Sequence, residues 1–194
     1  MKYDKKYVNQ HPKLDKIAFW QSTDENGWMC QWYDSPFTVN GVKYNCAEQY
    51  MMAQKAKLFN DDEVYNLIMG TRHAATMKKY GRMIKNFDSA VWDREKCNIV
   101  FQGNLNKFTQ NDNLCELLLD TKDAILYEAS PYDRVWGIGS DKFEKWNGEN
   151  LLGFILMEVR DVIRNMKYEW HSTPGFLVHF DFPDEWKDKI TLKK

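Results

Sequence analysis

The 194-residue sequence has no CxxC pair; its four cysteines stand apart at positions 30, 46, 97 and 115. That spacing fits neither a zinc ribbon nor a small disulfide framework. The four histidines, at 11, 73, 171 and 179, show no metal-ligand spacing, and neither an HExxH helix nor a nucleophile elbow occurs. Metal catalysis and Ser or Cys triads find no support, so neither metal nor cofactor is expected. No run reaches the roughly 20 apolar residues that a bilayer crossing requires. The stretch from Met1 to Lys13 lacks the apolar core of a signal peptide. A soluble, reduced, cytoplasmic protein without a membrane partner is the expectation. An excess of one charge is also missing. Lys and Arg number 27 and Asp and Glu 28, a net charge of −1. No global basic field advertises non-specific nucleic-acid binding, although a local patch stays open. Repeats, low-complexity linkers and long blocks of like charge are absent as well.

What is present suits one compact domain of 23.1 kDa, 43% hydrophobic, able to build a core without staples. Aromatics reach 15%, with eight Trp, which is either a set of core anchors or a ring-lined pocket. After a polar lead-in over 1–16, Phe37 to Tyr44 reads as a β-hairpin turning at Asn40-Gly41. Asn45 is expected to cap the next helix, with Glu48 in the capping-box position. Short helices follow over Asp61–Met69, Ala74–Tyr80 (Gly81 as the residue after the end) and Asn113–Leu119. A longer one starts at a Ser89 cap, its second half weakened by Gly103. Ala124 to Tyr127 reads as a buried strand. Leu151 to Arg164 carries an apolar stripe of Leu152, Ile155, Leu156, Val159 and Ile163. Gly175 to Phe182 alternates like an edge strand ended by Pro183. The sum is an α+β fold, mainly helical with small β pieces.

Four places carry candidate chemistry. Glu48 and Lys55, seven residues apart, share one helix face about 10 Å apart along the axis, with Met52 between. They line a polar site, or else are a capping residue and a solvated lysine. The run Tyr132-Asp133-Arg134-Val135-Trp136-Gly137-Ile138-Gly139 sets a carboxylate, a guanidinium and an indole beside two glycines. Gly137 and Gly139 either let backbone N–H groups approach a ligand or simply make a turn. Trp92 is a stacking platform or a core anchor. Lys78, Lys79, Arg82 and Lys85 grip an anion or face water.

Taken in order, these blocks resemble the NADAR domain family, also called YbiA-like, over roughly residues 17–166. The matching blocks are Tyr44-Asn45-Cys46-Ala47-Glu48-Gln49-Tyr50 to Gln54-Lys55; Lys78-Lys79-Tyr80-Gly81-Arg82; Trp92 sixteen residues before Phe108; Asp133 to Gly139; and Asn150 to Arg160. Residues 1–16 and 167–194 lie outside it, the latter expected to be an extension packed on the domain. The resemblance implies hydrolysis of N-glycosidic bonds to ribose. Its implied substrates are ribosylamino intermediates of riboflavin synthesis and ADP-ribose on guanine, as a free nucleotide or base, or on nucleic acid. It also implies functional roles for Glu48, Trp92, Asp133 and Trp136, with Lys55 as a further candidate. Gln49 replaces a usual His, Cys30-Gln31 a common Ser-Asn pair, and Ile138 the Asp of some bacterial members.

Such a cleavage builds positive charge at the anomeric carbon and negative charge on the departing base. Glu48 is then expected to activate water or steady the oxocarbenium-like centre. Asp133 holds ribose hydroxyls or shares proton transfer. Trp92 and Trp136 wall the pocket; Gly137, Gly139, Lys78 and Arg82 bind substrate; Lys55 grips phosphate or attacks the opened sugar as an amine. The chief alternative is a module that binds NAD or ADP-ribose without cleaving it. A third is a plain interaction protein whose aromatics are core.

Overall fold

A computed structural model describes residues 1–172, with side chains to 166. The strand expected over Gly175 to Phe182, its Pro183 stop and the packing of residues beyond 172 lie outside the described residues. Seven helices and four short strands are described: α1 (Lys5–Gln10), β1 (Lys16–Phe19), β2 (Phe37–Val39), β3 (Val42–Tyr44), α2 (Ala47–Leu58), α3 (Asp62–Met69), α4 (Ala74–Gly81), α5 (Ser89–Thr109), α6 (Asp112–Asp120), β4 (Ile125–Glu128) and α7 (Leu151–Ser172). The fold is α+β and mainly helical. The hairpin β2–β3 pairs Phe37 with Tyr44 and Val39 with Val42. Its turn places Asn40 at φ 50° and Gly41 at φ 78°, the double positive φ that Asn-Gly tolerates.

The polar lead-in is not a tail. Asp4 caps α1 by accepting the Tyr7 N–H at 2.7 Å. Tyr3 and Val8 are buried in the core, and Tyr3 donates its hydroxyl to Asp161 of α7 at 2.6 Å. Strand β1 then pairs in parallel with β4, Lys16 with Ile125 through Phe19 with Glu128. More than a hundred residues separate the partners, so no local pattern announced β1. Helix α7 packs on β4 and on α5, and α2 packs on α3, α4 and α5. Leu152, Ile155, Leu156, Val159 and Ile163 are all buried, the expected stripe, on a helix that runs past Arg164 to Ser172.

Helix α2 departs from its expected cap. Cys46, not Asn45, is the cap residue, and its side chain makes no capping bond. One register on, Gln49 reaches back to accept the Asn45 N–H at 2.7 Å. Glu48 is thereby released from capping. The first two turns, Ala47 to Ala53, are buried all round, so this helix threads the core and has no solvated face there. The caps of α4 and α5 also shift: Gly81 is the last residue of α4 with Arg82 as its cap, and Asp88 rather than Ser89 caps α5. Helix α5 runs unbroken through Gly103. A Cβ there would meet the Tyr50 ring at 2.7 Å, so the glycine lets α2 and α5 approach closely.

Candidate active site

Helix α2 delivers Glu48 and Lys55 to one wall of a cavity of about 930 Å³. Helix α4 delivers Lys78, with Arg82 just beyond it; β4 delivers Glu128 from its last position, and the loop after β4 delivers Asp133 and Trp136. Lys79 and Lys85 do not join them. Lys85 instead pairs with Glu63 at 2.8 Å. Residues four apart share a helix face, which separates Lys78 and Arg82 from their neighbours. Four of the eight Trp wall the cavity: Trp20, Trp32, Trp92 and Trp136. The aromatic surplus is thus split between core and cavity.

Glu48 is buried, and among the described residues its Oε1 has no hydrogen-bond partner. Burial lifts its carboxyl to about 7, against the pull of Lys78, a hydrogen bond from the Trp32 side chain and Lys55, and with a push from Asp133. Glu128 is in the same condition. Its Oε2 is buried and unpartnered, and burial first, then Asp133 and Glu48, raise it to about 8 while Lys78 opposes. Two carboxyl groups that hold protons near neutrality, in one cavity, are the inventory of acid–base chemistry.

Asp133 is built differently. Its Oδ1 accepts the N–H groups of Val135 at 3.0 Å and Trp136 at 2.8 Å, which folds the loop and aims the Trp136 indole. Its Oδ2 lies 3.8 Å from the Lys78 ammonium. One oxygen organises protein while the other faces the cation. Lys55 donates to the Gly81 carbonyl at 3.0 Å and sits 4.3 Å from the Phe87 ring centre and 5.3 Å from that of Trp92. Partial burial lowers its ammonium below the ordinary lysine range, with Glu48 pulling the other way.

Gly137 and Gly139 are the glycines expected to bind substrate. Neither lines the cavity. The Gly139 N–H donates to the Asp133 carbonyl at 3.0 Å, and a Cβ on Gly137 would meet the Glu128 carbonyl at 2.8 Å. Both serve the packing of the loop. The substituted positions are also placed. Gln49 donates to the carbonyls of Ile68 and Thr71, each at 3.1 Å, a structural task away from the cavity. Ile138 is fully buried and outside it. Cys30 does line it, but burial holds the thiol at about 11, a poor nucleophile.

Sequence reasoning missed Glu128, Trp20 and Trp32. The available signal for Glu128 was an acidic residue closing the apolar run Ala124-Ile125-Leu126-Tyr127. Missed too was the support beneath the site. The buried Lys107 of α5 donates to the carbonyls of Trp28 at 2.7 Å and Cys30 at 3.0 Å, and Asn104 donates to Gln31 Oε1 at 2.9 Å. These bonds hold the segment that ends in Trp32. Among the described residues, no group of three or more His, Cys, Asp or Glu is arranged to hold a metal ion, and no helix is long and apolar enough to cross a membrane.

Comparison with known proteins places this site in company. The NADAR domain model matches residues 18–164. An N-glycosidase of Acanthamoeba polyphaga mimivirus is 39% identical over 165 residues, covering 77% of this chain and 97% of that protein. A riboflavin biosynthesis protein of Vibrio vulnificus is 28% identical over 88% of this chain, which spans only 44% of that protein's length. Among solved structures, the NMR structure of the E. coli protein YbiA superposes with a TM-score of 0.69 at 28% identity, covering 80% of this chain and 88% of that one.

Proposed function

The chain belongs to the NADAR domain family, and from that premise we propose that it is an N-glycosidase, hydrolysing the bond between a ribose and a base or amine. The observation that carries this reading is Glu48, a buried carboxylate with an unpartnered oxygen in a cavity walled by indoles. A group so costly to bury is held for the charge it meets. The developing oxocarbenium centre is that charge, and ionised Glu48 stabilises it and takes the proton of the attacking water.

The other groups divide around the sugar. Lys78, linked to Asp133, keeps positive charge beside both glutamates, which favours the ionised form of Glu48. Trp92 and Trp136 give flat surfaces for the base or ribose, each such stack worth roughly 1–3 kcal/mol. Lys55 and Arg82, with Phe87 beside Lys55, form a cationic side suited to phosphate. The substrate class proposed is a ribosyl nucleotide. ADP-ribose on guanine and a ribosylamino-pyrimidine phosphate are the two members to try, so reversal of guanine ADP-ribosylation is part of this proposal. The exchange of Asp for Ile138 would favour a binding module without hydrolysis only if it took a carboxylate from the cavity. That side chain lies in the core, so its exchange removes no carboxylate from the cavity.

The test is to incubate the purified chain with both substrates and follow the free base and the released sugar by mass spectrometry. Release of base from either supports the reading; saturable binding with no release overturns it in favour of the module. Borohydride added during turnover separates the two roles of Lys55. A phosphate-gripping lysine leaves no adduct, whereas a covalent imine is trapped on Lys55.

A further inference from the structure

Ionised Glu48 accounts for the water and the sugar but leaves the departing base without a proton. A base nitrogen leaving as an anion is a poor leaving group, so a neutral acid in the same cavity is the missing element. Glu128 lines that cavity, and its carboxyl oxygen Oε2 is buried with no hydrogen-bond partner among the described residues. Its backbone is clamped from two sides. The Glu128 N–H donates to Asn150 Oδ1 at 3.0 Å, and its carbonyl accepts the Ile138 N–H at 2.9 Å. The Asn150 side chain is itself fixed by donating to the Leu126 carbonyl at 3.0 Å. A backbone so anchored fixes the point from which the side chain enters the cavity, and a buried polar atom without a partner among the described residues is free to meet a ligand there.

We propose that Glu128 is a further catalytic residue, the acid that protonates the leaving base nitrogen while Glu48 receives the proton of the attacking water. This rests on the N-glycosidase reading above. As the C1′–N bond breaks, its electron pair stays on nitrogen, which takes the proton of the Glu128 carboxyl. The water oxygen bonds to C1′, and its proton passes to Glu48. The net change is the addition of one water across the bond. Proton exchange through solvent from Glu48 back to Glu128 restores the starting state.

The charged groups facing the pair come from three elements: Lys55 on α2, Lys78 on α4 and Asp133 on the loop after β4. Asp133 disfavours ionisation of both glutamates. Lys78 favours it at both, and at Glu48 a hydrogen bond from the Trp32 side chain and the charge of Lys55 add to it. The arrangement makes Glu48 the first of the two to ionise, so one charged and one neutral carboxyl coexist near neutral pH. Because the groups interact, the two limbs of a rate profile belong to the pair.

The experiment compares wild type with Glu128→Gln on whichever of the two substrates the wild type cleaves, between about pH 6 and 9. The wild type is expected to show a bell, and the variant a kcat lower by about 10²-fold or more with the alkaline limb gone. Binding of ADP-ribose should stay within about threefold, because an amide preserves the shape and neutrality of the acid. A variant with wild-type kcat, or one slowed equally at every pH with the bell intact, overturns the assignment. Should the variant fail to fold, the wild-type profile decides. A rate that does not fall on the alkaline side overturns the role, whereas a fall that steepens the dependence of rate on leaving-base basicity upholds it. If the wild type releases no base at all, the N-glycosidase reading fails first.

Discussion

Two buried charges meet the same stretch of chain from different helices. Lys107 on α5 donates to the carbonyls of Trp28 and Cys30, while Glu48 on α2 donates its backbone N–H to the Gln31 carbonyl at 2.9 Å and leaves Oε1 open. Both are fully buried, and burial moves both towards neutrality, Lys107 down to about 8 and Glu48 up to about 7. The difference lies in where their polar atoms go. The lysine spends its N–H groups on protein, and its product is a held loop. The glutamate leaves Oε1 without a partner among the described residues, on the wall of the cavity, which is what the proposed chemistry draws on. Burial alone therefore does not single Glu48 out; a buried, unpartnered oxygen on the wall of the cavity does.

The sharpest break of this contrast is Glu48→Gln. Cleavage should slow by about 10²-fold or more, measured as kcat, while the fold survives. The sign of the stability effect follows from the raised carboxyl. A group lifted from 4.5 to about 7 destabilises the native state as it ionises, so wild-type stability falls as pH rises through that window. The amide flattens that fall, and above pH 7 its melting temperature should equal or exceed that of wild type. A matching loss of stability would make Glu48 structural.

Lys107→Met should show the opposite pattern. It strands two buried carbonyls and lowers stability by about 2–3 kcal/mol in urea unfolding, while retaining the pH profile of whatever activity remains. Lys78→Met comes next. Removing the cation raises both carboxyl groups further, so the acid limb of the rate profile moves to higher pH and the rate at about pH 7 drops roughly tenfold. The smallest effect belongs to Gln49→His. The side chain lies away from the cavity, so kcat should change by less than about threefold, with a cost of about 1 kcal/mol from a lost hydrogen bond.

The legibility of the site tracks how local its parts are. Glu48 and Lys55 were readable as one face because seven residues make two turns of a single helix. Even there the cap was misplaced by one residue, since Gln49 rather than Glu48 makes the return bond. The loop motif from Asp133 to Trp136 was readable as a chemical cluster. Its glycines were not readable as packing residues, because what they touch, the Glu128 carbonyl and the Asn147 side chain, is set by the fold. Glu128, Trp20 and Trp32 carried no motif of their own.

Local sequence determined the hairpin, the bounds of α2 to α6 to within a residue or two, the start and apolar stripe of α7, and the ordered blocks that mark the family, but neither α1 nor the run of α7 past Arg164. Each depends on contacts between residues a few positions apart, where backbone conformation and side-chain spacing suffice. Only the tertiary structure decided that Lys16 to Phe19 is a strand, that Glu128 stands in one cavity with Glu48, and that Lys107 lies beneath it. Those facts arise from the pairing of β1 with β4 across most of the chain and from helices crossing at positions that no short window contains. Burial, the physical cause of both raised carboxyl groups, is a property of that assembly.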